Sequence, residues 1–331
     1  MTYPWPAGAA TGIGSLPGTD FAEAVKIVFG EVPDFPHLPE LPARGPGADM
    51  IGRGAGLLVD LPVEIYAGRW RVTARPGRDA RVTRDLLERD LDAVTEHAAE
   101  YTGPLKVASA GPWTLASSVQ LPVGGALLRD PGAVRDLAAS LAEGLRDHVA
   151  DVAARLPGAT VVLQLDEPSL PAVLAGRVPT ESGFSTLPAP EPATVQGALA
   201  GIVETVSVPV VVHCCAAGVP VGLVRETGAV AIAIDLDQAF DLDQMGEALD
   251  AGLGLLAGAA PALPPPSGRA PSSAEVAEKV LHLWRRLGFP AERLASQVVV
   301  TPACGLAGAP EDYARRVLTA CREAGQRLLE S

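Results

Sequence analysis

Cysteine, lysine and aromatic residues are all scarce in this sequence of 331 residues. Four cysteines in such a length do not form a disulfide framework, and two of them are adjacent, so metal binding or simple burial explains them better. The only lysines are Lys26, Lys106 and Lys279, and the formal net charge is −13. This balance argues against a surface for nucleic acid or for an anionic membrane.

Long hydrophobic runs are absent as well. Runs such as residues 229–234 fall far short of the roughly 18 residues that span a bilayer. Nothing before Thr11 has the pattern of a signal peptide, so the sequence predicts a cytoplasmic protein without a membrane partner. Hydrophobic residues nevertheless make up 48% of the chain and charged residues 20%, which is enough for a large buried core.

Short β-branched apolar runs alternate with segments of helical apolar spacing, which is typical of a parallel sheet covered by helices. Six such units in the last two-thirds of the chain favour a (β/α)8 TIM barrel over an open sheet. The predicted strands are 105–109, 160–165, 209–213, 229–234, 253–257 and 297–301, and the predicted helices are 87–101, 131–156, 193–206, 242–251, 273–287 and 311–329.

Three proline-rich stretches, 33–46, 179–192 and 261–271, interrupt this alternation. Each is either a linker between domains or a long loop at a strand end. The composition does not shift across any of them, so we predict one barrel domain over residues 1–331. Residues 36–53 are expected to form an ordered loop over a site, with a solvated connection as the alternative. The polar residues of this loop are His37, Glu40, Arg44, Asp49 and Arg53.

His213 and Cys215 lie two residues apart at the end of the predicted strand that reads VVHCC. Alternate side chains of a strand share a face, so both point the same way while Cys214 points to the opposite face. A histidine and a thiolate so placed form half of a zinc site. A buried cysteine pair beside a hydrogen-bonded histidine explains the segment equally well when it is considered alone.

Two further strands supply the residues that favour the metal site. The strand AIAID ends at Asp235, with Asp237 on the same face, and the strand VVVTPACG delivers Cys304. Strand C-termini of a parallel barrel meet at one rim, so His213, Cys215, Asp235 and Cys304 are predicted to converge there. Whichever aspartate does not bind metal is expected to cap the next helix. Two thiolates and a carboxylate over-neutralise Zn²⁺, which favours alkyl transfer to a bound sulfur over hydrolysis.

Three other segments carry candidate substrate-binding groups. In LQLDEP, Gln164 and Asp166 share a face, and Asp166 is the candidate catalytic carboxylate that binds an ammonium group; a helix cap is the alternative. The segment GIGSLP, residues 12–17, offers small residues and backbone donors for a carboxylate, although a plain turn is more common. Trp113 in GPWT follows a strand and either stacks on a flat ligand or belongs to the core.

Together the segments resemble the catalytic C-terminal barrel of the cobalamin-independent methionine synthase family. The resemblance covers nearly the whole chain from Gly12 and rests on motif order: GIGSLP, GPWT, LQLDEP, HCC, AIAID and TPACGL. It implies an S-methyltransferase of the 5-methyltetrahydropteroyltriglutamate–homocysteine type, which methylates the sulfur of homocysteine in a (β/α)8 barrel. It also implies Zn²⁺ ligands at His213, Cys215 and Cys304, with Asp235 where the family usually carries glutamate. Ile13, Gly14 and Ser15 would hold the amino-acid carboxylate, and Asp166 the ammonium group.

The chain departs from this family in several ways. Asp235 is shorter than glutamate, which leaves Asp237 as a rival ligand. The family's general-acid histidine is missing from the loop GAAPALPPPSG, the folate-stacking tryptophan is not in its place, and few lysines are available for a polyglutamate tail. The methyl donor is therefore either methyl-tetrahydrofolate or a methylcorrinoid protein. The rival hypotheses are a decarboxylase or lyase of the uroporphyrinogen decarboxylase type, led by Arg44 and Arg53, and a zinc- or thiol-binding protein without transfer activity.

Overall fold

The computed structural model describes residues 2–331 and has an α/β fold. Within these residues the strands form two sheets. An antiparallel hairpin joins β1 (Val63–Tyr66) to β2 (Arg69–Val72). The second sheet is parallel, and its six strands follow chain order: β3 (Gly103–Ala110), β4 (Ala159–Asp166), β5 (Val210–Cys214), β6 (Ala231–Asp235), β7 (Gly254–Ala260) and β8 (Val298–Pro302).

Helices connect and flank these strands. They are α1 (Phe21–Glu31), α2 (Met50–Gly56), α3 (Arg78–Ala98), α4 (Pro112–Ser118), α5 (Pro131–Arg155), α6 (Leu170–Leu174), α7 (Pro192–Val206), α8 (Val221–Arg225), α9 (Leu242–Asp250), α10 (Ser273–Leu287), α11 (Ala291–Gln297) and α12 (Glu311–Leu329). Among the described residues, no helix combines the length and the apolar composition needed to cross a membrane.

The parallel sheet confirms the predicted alternation of strands and helices. Each of the six predicted apolar runs overlaps one strand from β3 to β8. All five residues of β5 and of β8 are buried, as are all seven of β7. A sheet with neither face exposed to solvent is covered by other elements on both sides. These strands are therefore continuously apolar, without an alternation of apolar and polar residues.

Two extended segments occupy the gap between β8 and β3. Single bridges join Ala10 to β8, His37 to β3, and Ser15 to Glu40 between the two segments. These contacts bring the curled parallel sheet round on itself, but they do not form continuous ladders. The parallel sheet of the described residues therefore has six strands where the sequence predicts eight.

The helix boundaries follow from local chemistry. The Asp130 carboxylate accepts hydrogen bonds from the first turn of α5, and Ser272 forms a reciprocal capping box with Glu275 at the start of α10. The prediction for α3 begins nine residues too late, because its first turns read RDARVTRD and have few apolar residues. The hairpin of β1 and β2 also escaped the sequence analysis, since its turn pairs Gly68 with Ala67, a residue that seldom adopts positive φ.

Candidate functional site

The carboxyl ends of the parallel strands bring the predicted metal ligands together. His213 belongs to β5 and pairs in register with Asp166, the last residue of β4. Cys215 directly follows β5, and Cys304 lies two residues beyond the end of β8. One ligand atom each of His213, Cys215 and Cys304 lies within 4.8 Å of the other two, as the strand-end argument predicts.

This three-residue group has the chemistry of a metal centre. The Cys215 and Cys304 sulfurs are 3.3 Å apart, and both residues are half-buried. His213 is buried, yet neither of its ring nitrogens has a hydrogen-bond partner. A buried imidazole without a partner is costly, and one imidazole with two thiolates is a common donor set for zinc. The residues present therefore fit a zinc ion.

The pKa values of the two thiols are shifted in opposite directions. The hydrogen bond to Cys215, together with the nearby His213, lowers the pKa of Cys304 to about 4. The same sulfur–sulfur contact and burial raise the pKa of Cys215. Cys214 points into the apolar core instead, and burial raises its pKa to about 12. The strand alternation predicted for this segment thus separates two candidate ligand positions from one core thiol.

Asp235, the predicted fourth ligand, is not part of this group within the described residues. Its carboxylate accepts hydrogen bonds from the Asp237 backbone N–H at 2.9 Å and from the Gln238 side-chain amide at 3.1 Å. The rival Asp237 pairs with Lys279 at 2.6 Å. Asp235 therefore has its partners within the turn after β6, whereas Asp237 pairs with a lysine of α10.

A second polar cluster adjoins the metal ligands. Asp166 is buried and accepts a 2.7 Å hydrogen bond from Gln164, which lies two residues earlier on the same face of β4. Burial raises the pKa of the Asp166 carboxyl, while His213 and Lys106 oppose this shift. A second hydrogen bond from the Gln164 amide, of 2.9 Å, reaches the Ile13 carbonyl. Asp166 and the 12–17 segment are thus linked through one side chain.

The predicted carboxylate-binding segment adjoins the loop that carries Cys304. The Leu306 N–H donates to the Ser15 carbonyl at 2.7 Å. Gly305 lies so close to Ser15 that a Cβ built at this glycine would stand 2.1 Å from the Ser15 hydroxyl oxygen. Gly14 is buried next to the side chain of Glu40. Residues 13–15 and the metal ligands therefore belong to one continuous region.

Glu40 lies next to the predicted carboxylate-binding segment, although the sequence assigned it no role beyond its place in the 36–53 loop. Its side chain is buried, its Oε1 atom has no hydrogen-bond partner, and Arg53 lies 3.5 Å away. Burial raises the pKa of Glu40 to about 7, although Arg53 lowers it. A lone glutamate in the apolar stretch HLPELP is the signal that could have identified it, because a carboxylate buried there needs a cationic partner.

Arg44 and Arg53, the residues of the lyase hypothesis, are already paired. Arg44 forms two hydrogen bonds to the buried Asp90 carboxylate, at 2.6 and 2.8 Å, and Arg53 forms a third at 2.6 Å. Arg53 is itself buried and also faces Glu40. These guanidinium groups balance the charge of protein carboxylates, which leaves less of their donor capacity for a substrate with several carboxylates.

Trp113, predicted either to stack on a flat ligand or to belong to the core, is buried. Its ring is 1% exposed, and its indole N–H donates to the Val195 carbonyl at 3.2 Å. The Glu167 carboxylate holds the start of α4 in place. It accepts hydrogen bonds from the Trp113 and Thr114 backbone N–H groups and from the Thr114 hydroxyl. These contacts orient the first turn of α4, and the Trp113 ring packs in the apolar core, which is the second of the two predicted positions.

Comparison with solved structures shows what the fold is similar to. A B12-independent methionine synthase from Shewanella sp. W3-18-1, in complex with selenomethionine, matches 100% of this chain and 98% of its own, with 11% identity and a TM-score of 0.61. That likeness concerns the fold alone. A GH113 β-mannanase from Alicyclobacillus acidocaldarius matches 98% of each chain with 14% identity, but its TM-score of 0.44 is too low to indicate a shared fold.

Sequence comparison gives a narrower result. No curated protein matches the chain significantly. The family model described as the catalytic domain of cobalamin-independent synthase matches residues 102–327, which is more than half of the chain and includes Asp166 and all three metal-ligand candidates. The chain therefore belongs to the family of cobalamin-independent synthase catalytic domains.

Proposed function

We propose that this chain is a zinc-dependent S-methyltransferase that methylates the sulfur of homocysteine or a similar small thiol. The observation that carries the proposal is the convergence of one imidazole and two thiols within 4.8 Å, next to buried carboxylates. Membership in the cobalamin-independent synthase family supports it. Hydrolytic zinc sites are more often rich in histidine, whereas thiolate ligands leave a bound sulfur electron-rich.

His213, Cys215 and Cys304 are the proposed zinc ligands. A zinc ion held by these three residues would lower the pKa of the substrate thiol and orient its sulfur for attack. Three protein ligands are the usual number at a catalytic zinc site. The proposal therefore does not need Asp235, whose carboxylate already has partners in its own turn.

The amino-acid end of the substrate is assigned to the second polar cluster. Asp166 and Glu40 are two buried carboxylates, and the Oε1 atom of Glu40 has no hydrogen-bond partner, although Arg53 lies 3.5 Å from it. An ammonium group between the two carboxylates would donate hydrogen bonds that the protein itself does not supply to Oε1. Ile13, Gly14 and Ser15 would hold the carboxylate through backbone donors.

The methyl donor is a methyl-tetrahydrofolate or a methylcorrinoid carried by another protein. In either reaction the substrate thiol loses its proton, a sulfur–carbon bond forms, and the bond from the methyl carbon to N5 of the folate or to cobalt breaks. Folate N5 would also need a proton, and the end of β7 with the loop that follows it, which together read GAAPALPPPSG, holds no histidine to supply one. Supplying homocysteine with each donor separately would identify the donor.

Metal analysis tests the proposed centre. The purified protein should contain about one zinc per chain, and Cys304→Ser should lose most of it together with methyl transfer. Cys321→Ala is the matched control, because Cys321 is buried in α12 and lies outside the three-residue group. Equal zinc content in wild type and Cys304→Ser would contradict the assignment.

A zinc- or thiol-binding protein without transfer activity is the second candidate, and the missing histidine is the observation that favours it. It predicts the same zinc content and the same binding of homocysteine as the methyltransferase. Methionine formed from either donor would exclude it. A barrel lyase would contain no zinc, and the pairing of Arg44 and Arg53 with Asp90 makes it the weakest of the three hypotheses.

We further propose that residues 1–331 form one catalytic domain and that the bridged segments around Ala10 and His37 occupy the first two strand positions of a (β/α)8 barrel. The bridges to β8 and to β3 support this interpretation. Their shortness has a local reason, since proline and glycine are frequent in residues 4–17 and 33–47 and interrupt continuous ladders.

A further inference from the structure

Lys106 is the most deeply buried of the chain's three lysines. Its side chain has no exposed surface, although it sits on β3 among apolar neighbours. Burial lowers the pKa of Lys106 to about 8, and the nearby Asp166 and Glu40 oppose this shift. Burying an ammonium group costs free energy unless its protons have acceptors. The acceptors of Lys106 therefore indicate why a lysine is buried at this position.

Those contacts lead directly to the proposed amino-acid pocket. The Lys106 ammonium donates to the Ile13 carbonyl at 2.7 Å and to the Gln164 carbonyl oxygen at 2.5 Å. The Gln164 amide nitrogen in turn donates to the Ile13 carbonyl at 2.9 Å and to Asp166 at 2.7 Å. Lysine, glutamine and the two pocket elements therefore form one buried network.

The lysine holds the carbonyl end of the Gln164 amide. An ammonium group has donors and no acceptor, so it binds the carbonyl oxygen of Gln164 and turns the NH₂ group toward the carboxylate. Without Lys106 the buried Gln164 carbonyl oxygen would lose its donor, and the side chain would no longer be held at that end. The NH₂ group, which binds both Asp166 and the Ile13 carbonyl, would then shift, and the two pocket elements would lose their fixed spacing.

We propose that Lys106 is a positioning residue for the amino-acid end of the substrate, acting through Gln164 on Asp166 and through the Ile13 carbonyl on residues 13–15. This inference rests on the proposed function, because it takes Asp166 as the ammonium site. Lys106 does not touch the substrate. It holds the ammonium-binding carboxylate and the carboxylate-binding backbone in one fixed arrangement.

The test compares two ligands that differ only in the ammonium group: methionine and 4-(methylthio)butanoate. Neither carries a thiol, so binding to the zinc-loaded protein does not depend on a metal–thiolate bond. Calorimetry gives the ratio of the two dissociation constants. Wild type should prefer methionine, and Lys106→Met should reduce this preference about tenfold or more while the affinity for 4-(methylthio)butanoate changes little.

Two further variants complete the experiment. Lys26→Met removes an exposed lysine of α1 and should keep the wild-type preference. Gln164→Met breaks the link without removing a charge and should lose the preference as Lys106→Met does. It also decides the question if Lys106→Met does not fold.

Two results would overturn the inference: an unchanged preference in the folded variant, or an equal fall in affinity for both ligands, which indicates a merely structural lysine. Failure of wild type to bind methionine, or to prefer it, would instead refute the proposed amino-acid pocket itself. The wild-type measurement thus separates failure of the proposed function from failure of the role of Lys106.

Discussion

His213 and His148 are both buried, and their surroundings distinguish a candidate ligand from a core residue. Neither ring nitrogen of His213 has a protein partner, and two sulfurs lie beside it. His148 is part of α5, away from the three-residue metal group. Burial, together with Arg53, lowers the pKa of His148 to about 4. His213 is therefore a candidate metal ligand, whereas His148 affects the stability of the fold.

His148 makes stability depend on pH. Between about pH 6.5 and pH 4 the unfolded chain binds a proton at this residue and the folded chain does not, so the free energy of unfolding decreases as the pH falls. His148→Gln should remove about 2 kcal/mol of the loss between pH 7 and pH 5. Urea unfolding at both pH values measures it. His282→Gln, at an exposed position of α10, is the control, and equal losses in all three proteins would contradict the prediction.

At the scale of the element, β5 shows how one strand serves the core and the site at once. Cys214 ends the strand with its side chain in the apolar core, and Cys215 follows with its sulfur near Cys304. The same alternation puts Gln164 and Asp166 on one face of β4. Sequence reasoning predicts this parity well, because it depends only on the two-residue period of a strand.

The alternation predicts opposite phenotypes for two adjacent cysteines. Cys215→Ser should lose most of the zinc with little change in the free energy of unfolding of the metal-free protein. Cys214→Ser should keep the zinc but lower that free energy by about 1–3 kcal/mol, because it buries a hydroxyl in an apolar site. Metal analysis and urea unfolding of the metal-stripped proteins give the two readouts. Loss of zinc from both variants alike would refute the parity argument.

At the scale of the whole molecule, the N-terminal segment and the last helix pack together. Gly325 of α12 lies against the backbone of residue 8, and a Cβ built there would stand 2.2 Å from the Gly8 carbonyl oxygen. The Gly8 N–H also donates to the Ala295 carbonyl at 2.7 Å. The segment around Gly8 thus packs on α11 and α12, two residues before the bridge between Ala10 and β8. This packing helps to hold the N-terminal segment against the edge of the curled sheet.

Two glycine-to-alanine variants test this close approach. Alanine is favoured over glycine in a helix by about 1 kcal/mol, so Gly201→Ala, at an exposed position of α7 with open space around it, should stabilise the protein by about that amount. Gly325→Ala should instead destabilise it by about 2 kcal/mol or more, because the neighbour is backbone and must move. Urea unfolding compares them, and stabilisation by both would show that the ends are not closely packed.

The sequence by itself determined the features that depend on local periodicity and motif order. The six apolar strands of the parallel sheet, the common face of His213 and Cys215, and the convergence of Cys304 on them all follow from strand parity and from the common direction of parallel strands. The order of short motifs was sufficient to identify the family.

Only the tertiary structure decided what depends on distances between separate segments. It gave Asp235 partners in its own turn, turned Trp113 into the core, paired Arg44 and Arg53 with Asp90, and brought Glu40 against Gly14. It also joined Lys106 to Gln164 and Ile13. Periodicity fixes the face on which a side chain lies, whereas its partner depends on how far each strand extends and how each loop packs.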